Sequence, residues 1–127
     1  YILRFDVVKL SSWKGGEDNY RFLDLVVGEE MGHILYFHNH PYIFGFFSIY
    51  DYEDVFFVNE IIGHYAGLVY ANRNLADFYL PSLTGANSEM YSLANRLYLK
   101  YRDDKLSELS KIADVLELKD RIETLVN

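Results

Sequence analysis

Two histidines separated by one residue, His38-Asn39-His40, precede Pro41, and Ser48 and Asp51 follow at fixed intervals. Imidazole and carboxylate are both metal ligands. In an extended segment side chains alternate with period two, so His38 and His40 project to one face and can meet one ion. Asp51 sits one turn into a helix expected to start at Ser48, and a compact loop would return its carboxylate as a third ligand. A His, His, Asp set leaves the fourth tetrahedral position for water, the open arrangement of a catalytic zinc. Zinc acidifies the water it binds and makes it a nucleophile near neutral pH. A further carboxylate has to move protons, and the Ser48 hydroxyl can steady a developing oxyanion.

The same residues have plainer uses. Ser48 with Asp51 three positions on reads as a helix N-terminal capping pair. His33 reads as a strand residue at a sheet margin. His64, after Gly63, suits a helix C-terminus, where the dipole favours a cation. Glu29-Glu30 reads as a solvated turn.

The elements that must carry these residues follow from periodicity. Residues 1–10 alternate apolar and polar, as a half-buried strand does. Gly15-Gly16 marks a turn, and residues 20–27 read as a second strand. Gly28 to Gly32 reads as a turn into a short third strand, 33–37, that runs into His38. Residues 39–47 form a loop, and a helix is expected from Ser48 to about Ile62, ending near Gly63. Residues 66–70 and 76–80 suggest a hairpin. Two helical regions follow, one capped by Asn87 or Ser88 and carrying Met90, Leu93, Leu97 and Tyr101 on one face. The other starts at Asp103-Asp104 and breaks near Leu118. No internal repeat is evident.

The pattern His-x-His-Pro-x6-Ser-x-x-Asp, entered by an apolar strand and leaving into a helix, resembles the signature of the JAMM (MPN-plus) metalloproteases. The His38-Asn39-His40-Pro41 variant is similar to the bacterial RadC-type branch. The resemblance implies an α+β fold, zinc on His38, His40 and Asp51, and Ser48 lining the oxyanion site. It also implies hydrolysis of an amide or isopeptide bond, with a peptide or ubiquitin-like tail as partner. That family carries a proton-shuttling Glu upstream of the first His. Glu30 lies roughly 26 Å from His38 along one extended strand, and Glu29 fares no better. A hairpin about Gly28 to Gly32 would bring Glu17 back to the level of His38, which makes Glu17 the candidate.

Bulk properties bound the rest. The 127 residues fit one domain, residues 1–127. Nineteen acidic against twelve basic residues give a formal net charge of -7, and the bases are scattered, which argues against nucleic-acid binding. With no cysteine, disulfides, thiolate metal sites and thiol nucleophiles are excluded. No apolar run approaches ~18 residues, so no membrane span is expected and a cytoplasmic location is. The chain begins at Tyr1 without an initiator Met, so the expectation is that either the true start was removed or some upstream residues are absent from this sequence. The aromatic stretch Phe44-Gly45-Phe46-Phe47 either packs inward or offers a partner-binding surface, and the helical faces could make a homo-oligomer seam.

The expectation is an α+β domain, a mixed sheet with flanking helices, acting as a zinc-dependent amide or isopeptide hydrolase. The alternative is a non-catalytic interaction module, including a viral or mobile-element protein, in which the motif is coincidence or relic.

Overall fold

Leu25, Gly28, Gly32 and Tyr36 recur at intervals of three and four residues. In the computed structural model they form the buried face of a long helix, α1 (Glu17–Asn39). The structure describes residues 17–40, 50–78 and 85–127, and for 17–22 and 85–87 the backbone alone. A second helix, α2 (Tyr52–Ala71), follows, then a 3-10 turn (Leu75–Asp77), α3 (Gly85–Tyr101), a short α4 (Leu106–Ser110) and α5 (Val115–Val126).

The mixed sheet is therefore overturned: no described residue lies in a strand. The segments 20–27 and 33–37, read as strands about a turn, are one continuous helix. The hairpin at 66–70 is the last part of α2. The JAMM resemblance falls with the sheet, because that fold is α+β and the described residues are helical. The expected strand 1–10, Ser48 and the aromatic stretch Phe44, Phe46 and Phe47 lie outside the described residues.

α2 is the hub. From Ile61 to Leu68 every residue is buried, as expected of a helix enclosed on all sides, and α1, α3, α4 and α5 all pack on it. Its contact with α1 is the most extensive among the described elements. The two helices run antiparallel and approach through glycines. A Cβ placed on Gly28 would lie 2.8 Å from the Gly67 Cα and 2.6 Å from the Tyr70 Cβ. One on Gly32 would lie 2.5 Å from the Ala66 Cβ. No side chain larger than hydrogen fits there, so backbone meets backbone. The remaining core is Val55, Val58, Ile61, Ile62 and Leu68 against Ala94, Leu97, Leu109, Val115, Leu118 and Ile122.

Polar contacts fix the ends. Asn72 closes α2 in the left-handed region (φ 54°), its backbone N–H donating to the Leu68 and Val69 carbonyls. The Tyr98 hydroxyl donates to Asn72 Oδ1 at 3.2 Å. The Tyr65 hydroxyl donates to the Arg102 carbonyl and accepts from the Lys105 backbone N–H at 3.3 Å. Asp114 caps α5 by accepting from the Glu117 N–H at 3.0 Å.

Two predictions follow from this packing. Gly28→Val drives a branched side chain into backbone on a facing helix, so it should cost about 3 kcal/mol or more in urea denaturation. An unchanged midpoint would mean that the close crossing is wrong. The second concerns alkali. Burial pushes Tyr36 up to about 12, with Tyr50 adding to it. Burial also pushes Tyr65 up to about 12, with Asp103 and Asp104 raising it and the Lys105 N–H opposing. A raised folded value means that the unfolded phenol ionises first. This contribution is complete below the ordinary value of 10.0 and is lost as pH rises towards about 12. The urea midpoint should hold to about pH 9 and fall steadily between 10 and 12; Tyr36→Phe should flatten that fall.

Candidate functional site

Of the residues first singled out, His38, His40 and Asp51 are described, and they are not arranged to hold a metal ion. His38 lies in the last turn of α1 and is exposed. His40 follows the helix end and donates from Nε2 to the Ser110 carbonyl at 2.9 Å, its ring edge-on to Tyr36 with centroids 5.0 Å apart. Asn39 Nδ2 donates to the same carbonyl at 3.1 Å. The period-two argument fails because this segment is a helix end, where residues two apart face different ways. Asp51 is the exposed residue before α2, and its side chain makes no capping hydrogen bond. Glu17 opens α1 while His38 closes it, so at 1.5 Å per residue they lie roughly 30 Å apart along the axis, not side by side.

The polar chemistry sits instead at the glycine crossing. Glu29-Glu30-Met31-Gly32-His33 on α1 and Glu60-Ile61-Ile62-Gly63-His64 on α2 share the pattern Glu-x-x-Gly-His. Glu and His four apart stand side by side on a helix. The antiparallel crossing pairs them across: Glu29 with His64, and Glu60 with His33. Glycine makes the room. A Cβ on Gly63 would fall 2.5 Å from His33 Cε1, and one on Gly67 would fall 2.6 Å from Glu29 Cγ. The two long side chains of α1 thus lie across glycines of α2.

Glu60 faces both imidazoles. Its Oε1 is 3.5 Å from His33 Nε2, and its Oε2 is 3.5 Å from His64 Nε2. The other nitrogen of each ring faces an acceptor. His33 Nδ1 is 3.1 Å from Asn59 Oδ1, close enough for the ring N–H to donate to the amide oxygen. His64 Nδ1 is 3.2 Å from Glu29 Oε1. The His64 side chain is only 4 % exposed, yet neither of its nitrogens has a hydrogen-bond partner in good geometry. Tyr91 from α3 closes the site. Its ring stacks on His64 at 3.6 Å, and its hydroxyl donates to Glu29 Oε1. Burial, then the Glu29 charge, raises Tyr91 far above the ordinary phenol range, so it stays a proton donor.

Two carboxylates and two imidazoles therefore lie together at the crossing, largely shielded from water, and among the described residues no Lys or Arg pairs with Glu29 or Glu60. Charges taken from water need a partner of opposite sign. The four side chains are paired edge to edge rather than gathered about one point. As they stand, no three His, Asp or Glu side chains among the described residues are arranged to hold a metal ion.

The signal that could have found this site is the Glu-x-x-Gly-His repeat at 29 and 60, read on helices. The readings of Glu29 as a turn, His33 as a strand margin and His64 as a helix end each miss it. No family model, no curated protein and no solved structure matches the chain.

Gly63→Ala tests the arrangement. Alanine favours the helix by about 1 kcal/mol, but its methyl displaces the His33 ring. The fold should survive, while the imidazole Nδ1–H resonance of His33, expected downfield in the wild type through its contact with Asn59, should disappear. A variant that keeps this resonance would show that His33 does not lie over Gly63.

Proposed function

We propose that the chain is a non-catalytic partner-binding domain. One observation carries the reading: Met31 and Leu35, one helical turn apart on α1, are 50 % and 39 % exposed, and Tyr52 stacks on Phe56 at the exposed start of α2. Large apolar side chains left in water on two helices suit an interface with another protein.

A second reading is a zinc-dependent hydrolase with the metal on His33, Glu60 and His64. The two imidazole contacts of Glu60 at 3.5 Å favour it. Against it, no three His, Asp or Glu side chains among the described residues are arranged to hold a metal ion.

Zinc analysis of protein purified without a histidine tag separates the two. Wild type and Glu60→Gln should both hold negligible zinc after dialysis against a zinc buffer. Stoichiometric zinc in wild type that Glu60→Gln removes would overturn the partner-binding reading and favour the metal one.

A further inference from the structure

The exposed apolar residues of α1 form a row. Helical spacing puts Val27, Met31, Ile34, Leu35 and His38 on one side of the helix, away from the Leu25, Gly28, Gly32 and Tyr36 face that meets α2. Met31, Leu35 and His38 are exposed, and Val27 and Ile34 are half-buried. Among the described elements the extensive contact of α1 is with α2 alone. From Asp24 to His38 the row runs roughly 21 Å at 1.5 Å per residue, about four helical turns.

The charge around the row is one-sided. From Phe22 to Asn72 there are seven carboxylates and no Lys or Arg, while the rest of the chain carries twelve residues of each sign. The whole formal net charge of -7 therefore belongs to the stretch that holds most of α1 and all of α2. Asp24 and Glu30, both exposed, flank the apolar row. Among the described residues only Asp54 of the seven has a Lys or Arg partner, Lys119 at 3.3 Å. A surface that is apolar along its middle and negative around it fits a partner helix of the opposite kind, an apolar stripe edged by Lys and Arg. A second copy of this chain laid on the same face would set carboxylates against carboxylates.

We infer that the outer face of α1, centred on Met31 and Leu35, receives a cationic amphipathic helix from a partner protein. The inference rests on the partner-binding reading above and adds where the partner sits and what charge it carries. Apolar contact supplies the affinity, and the carboxylates reject acidic partners and speed encounter with basic ones.

The experiment is fluorescence anisotropy with a labelled amphipathic helix of Leu and Lys, about 18 residues or five turns long, and its counterpart with Glu in place of Lys. Wild type should bind the Lys peptide about tenfold or more tighter than the Glu peptide, and that affinity should fall as salt rises from about 50 to about 300 mM. Met31→Ala with Leu35→Ala removes the apolar centre and should weaken Lys-peptide binding about tenfold or more. Alanine suits an exposed helix position, so the thermal midpoint should stay within a few degrees of wild type. Asp24→Asn with Glu30→Gln should weaken binding several-fold at low salt and flatten the salt dependence. Leu116→Ala, at an exposed position on α5, should bind as wild type does. Lys-peptide binding that stays within twofold of wild type in the Met31 and Leu35 double variant overturns the inference. If the Glu peptide binds as tightly as the Lys peptide and the double variant weakens both, the cationic partner falls and the partner-binding reading stands. A dimer in sedimentation that the double variant abolishes assigns the face to a second copy and overturns the inference as well. If neither peptide binds and the chain is a monomer, both fall.

Discussion

Everything in this molecule depends on how closely α1 and α2 approach. Four glycines, at 28 and 32 on one helix and 63 and 67 on the other, remove the side chains that would hold the backbones apart. Each glycine costs a helix about 1 kcal/mol relative to alanine, so a roughly 4 kcal/mol handicap is accepted at one crossing. The return is contact. Backbone lies on backbone, α2 is enclosed along its central turns, and every other helix packs around it. Had Gly63 or Gly67 carried a Cβ, the His33 ring and the Glu29 stem would have no place to lie.

The site is a consequence of that geometry. Pairs four apart on each helix are ordinary, and on a solvated surface they would be worth a few tenths of a kcal/mol. At the crossing they become partners across helices and lose most of their water. Buried acceptors without a base cost stability unless protons or a cation balance them. Asn59 and Tyr91 lower that cost on the outside of the cluster by bonding His33 and Glu29. Between the two imidazoles and Glu60 no such donor intervenes among the described residues, and both nitrogens of His64 stay unbonded. The cluster is bonded at its rim by Asn59 and Tyr91, whereas His64 at its centre has no hydrogen-bond partner in good geometry.

The helices from 85 onward were largely legible because Met90, Leu97 and Tyr101 repeat at helical spacing, and α3 covers the expected span. The break after them came earlier than expected, at 111–114 rather than near Leu118. The first half misled for a physical reason. Glycine normally punctuates, so Gly28 and Gly32 read as a turn between two apolar strands, and Gly63 as a helix end. In this fold the same glycines lie inside helices because a second helix needs the space. That information belongs to the pair of helices and not to either segment. The site was hidden in the same way: Glu29 and Glu60 stand 31 residues apart, and nothing local links them until both segments are helical and antiparallel.

The His38-Asn39-His40 run, the most conspicuous pattern in the sequence, illustrates how the same residue types change meaning with backbone conformation. On a strand, two histidines in alternation converge. At a helix end they diverge, and His40 and Asn39 both donate to the Ser110 carbonyl, the last residue of α4. That clamp ties the far end of α1 to a helix that itself packs on α2. A 23-residue helix pinned at a crossing in its middle and at one end has little freedom to pivot. The orientation of Glu29 and His33 over α2 therefore depends on contacts made by residues 39 and 40, about two helical turns away from His33. Side chains held on rigid, doubly anchored helices keep their mutual geometry better than side chains on loops. His40, one of the two histidines that looked like ligands, serves instead with Asn39 to fix the helix that carries the cluster.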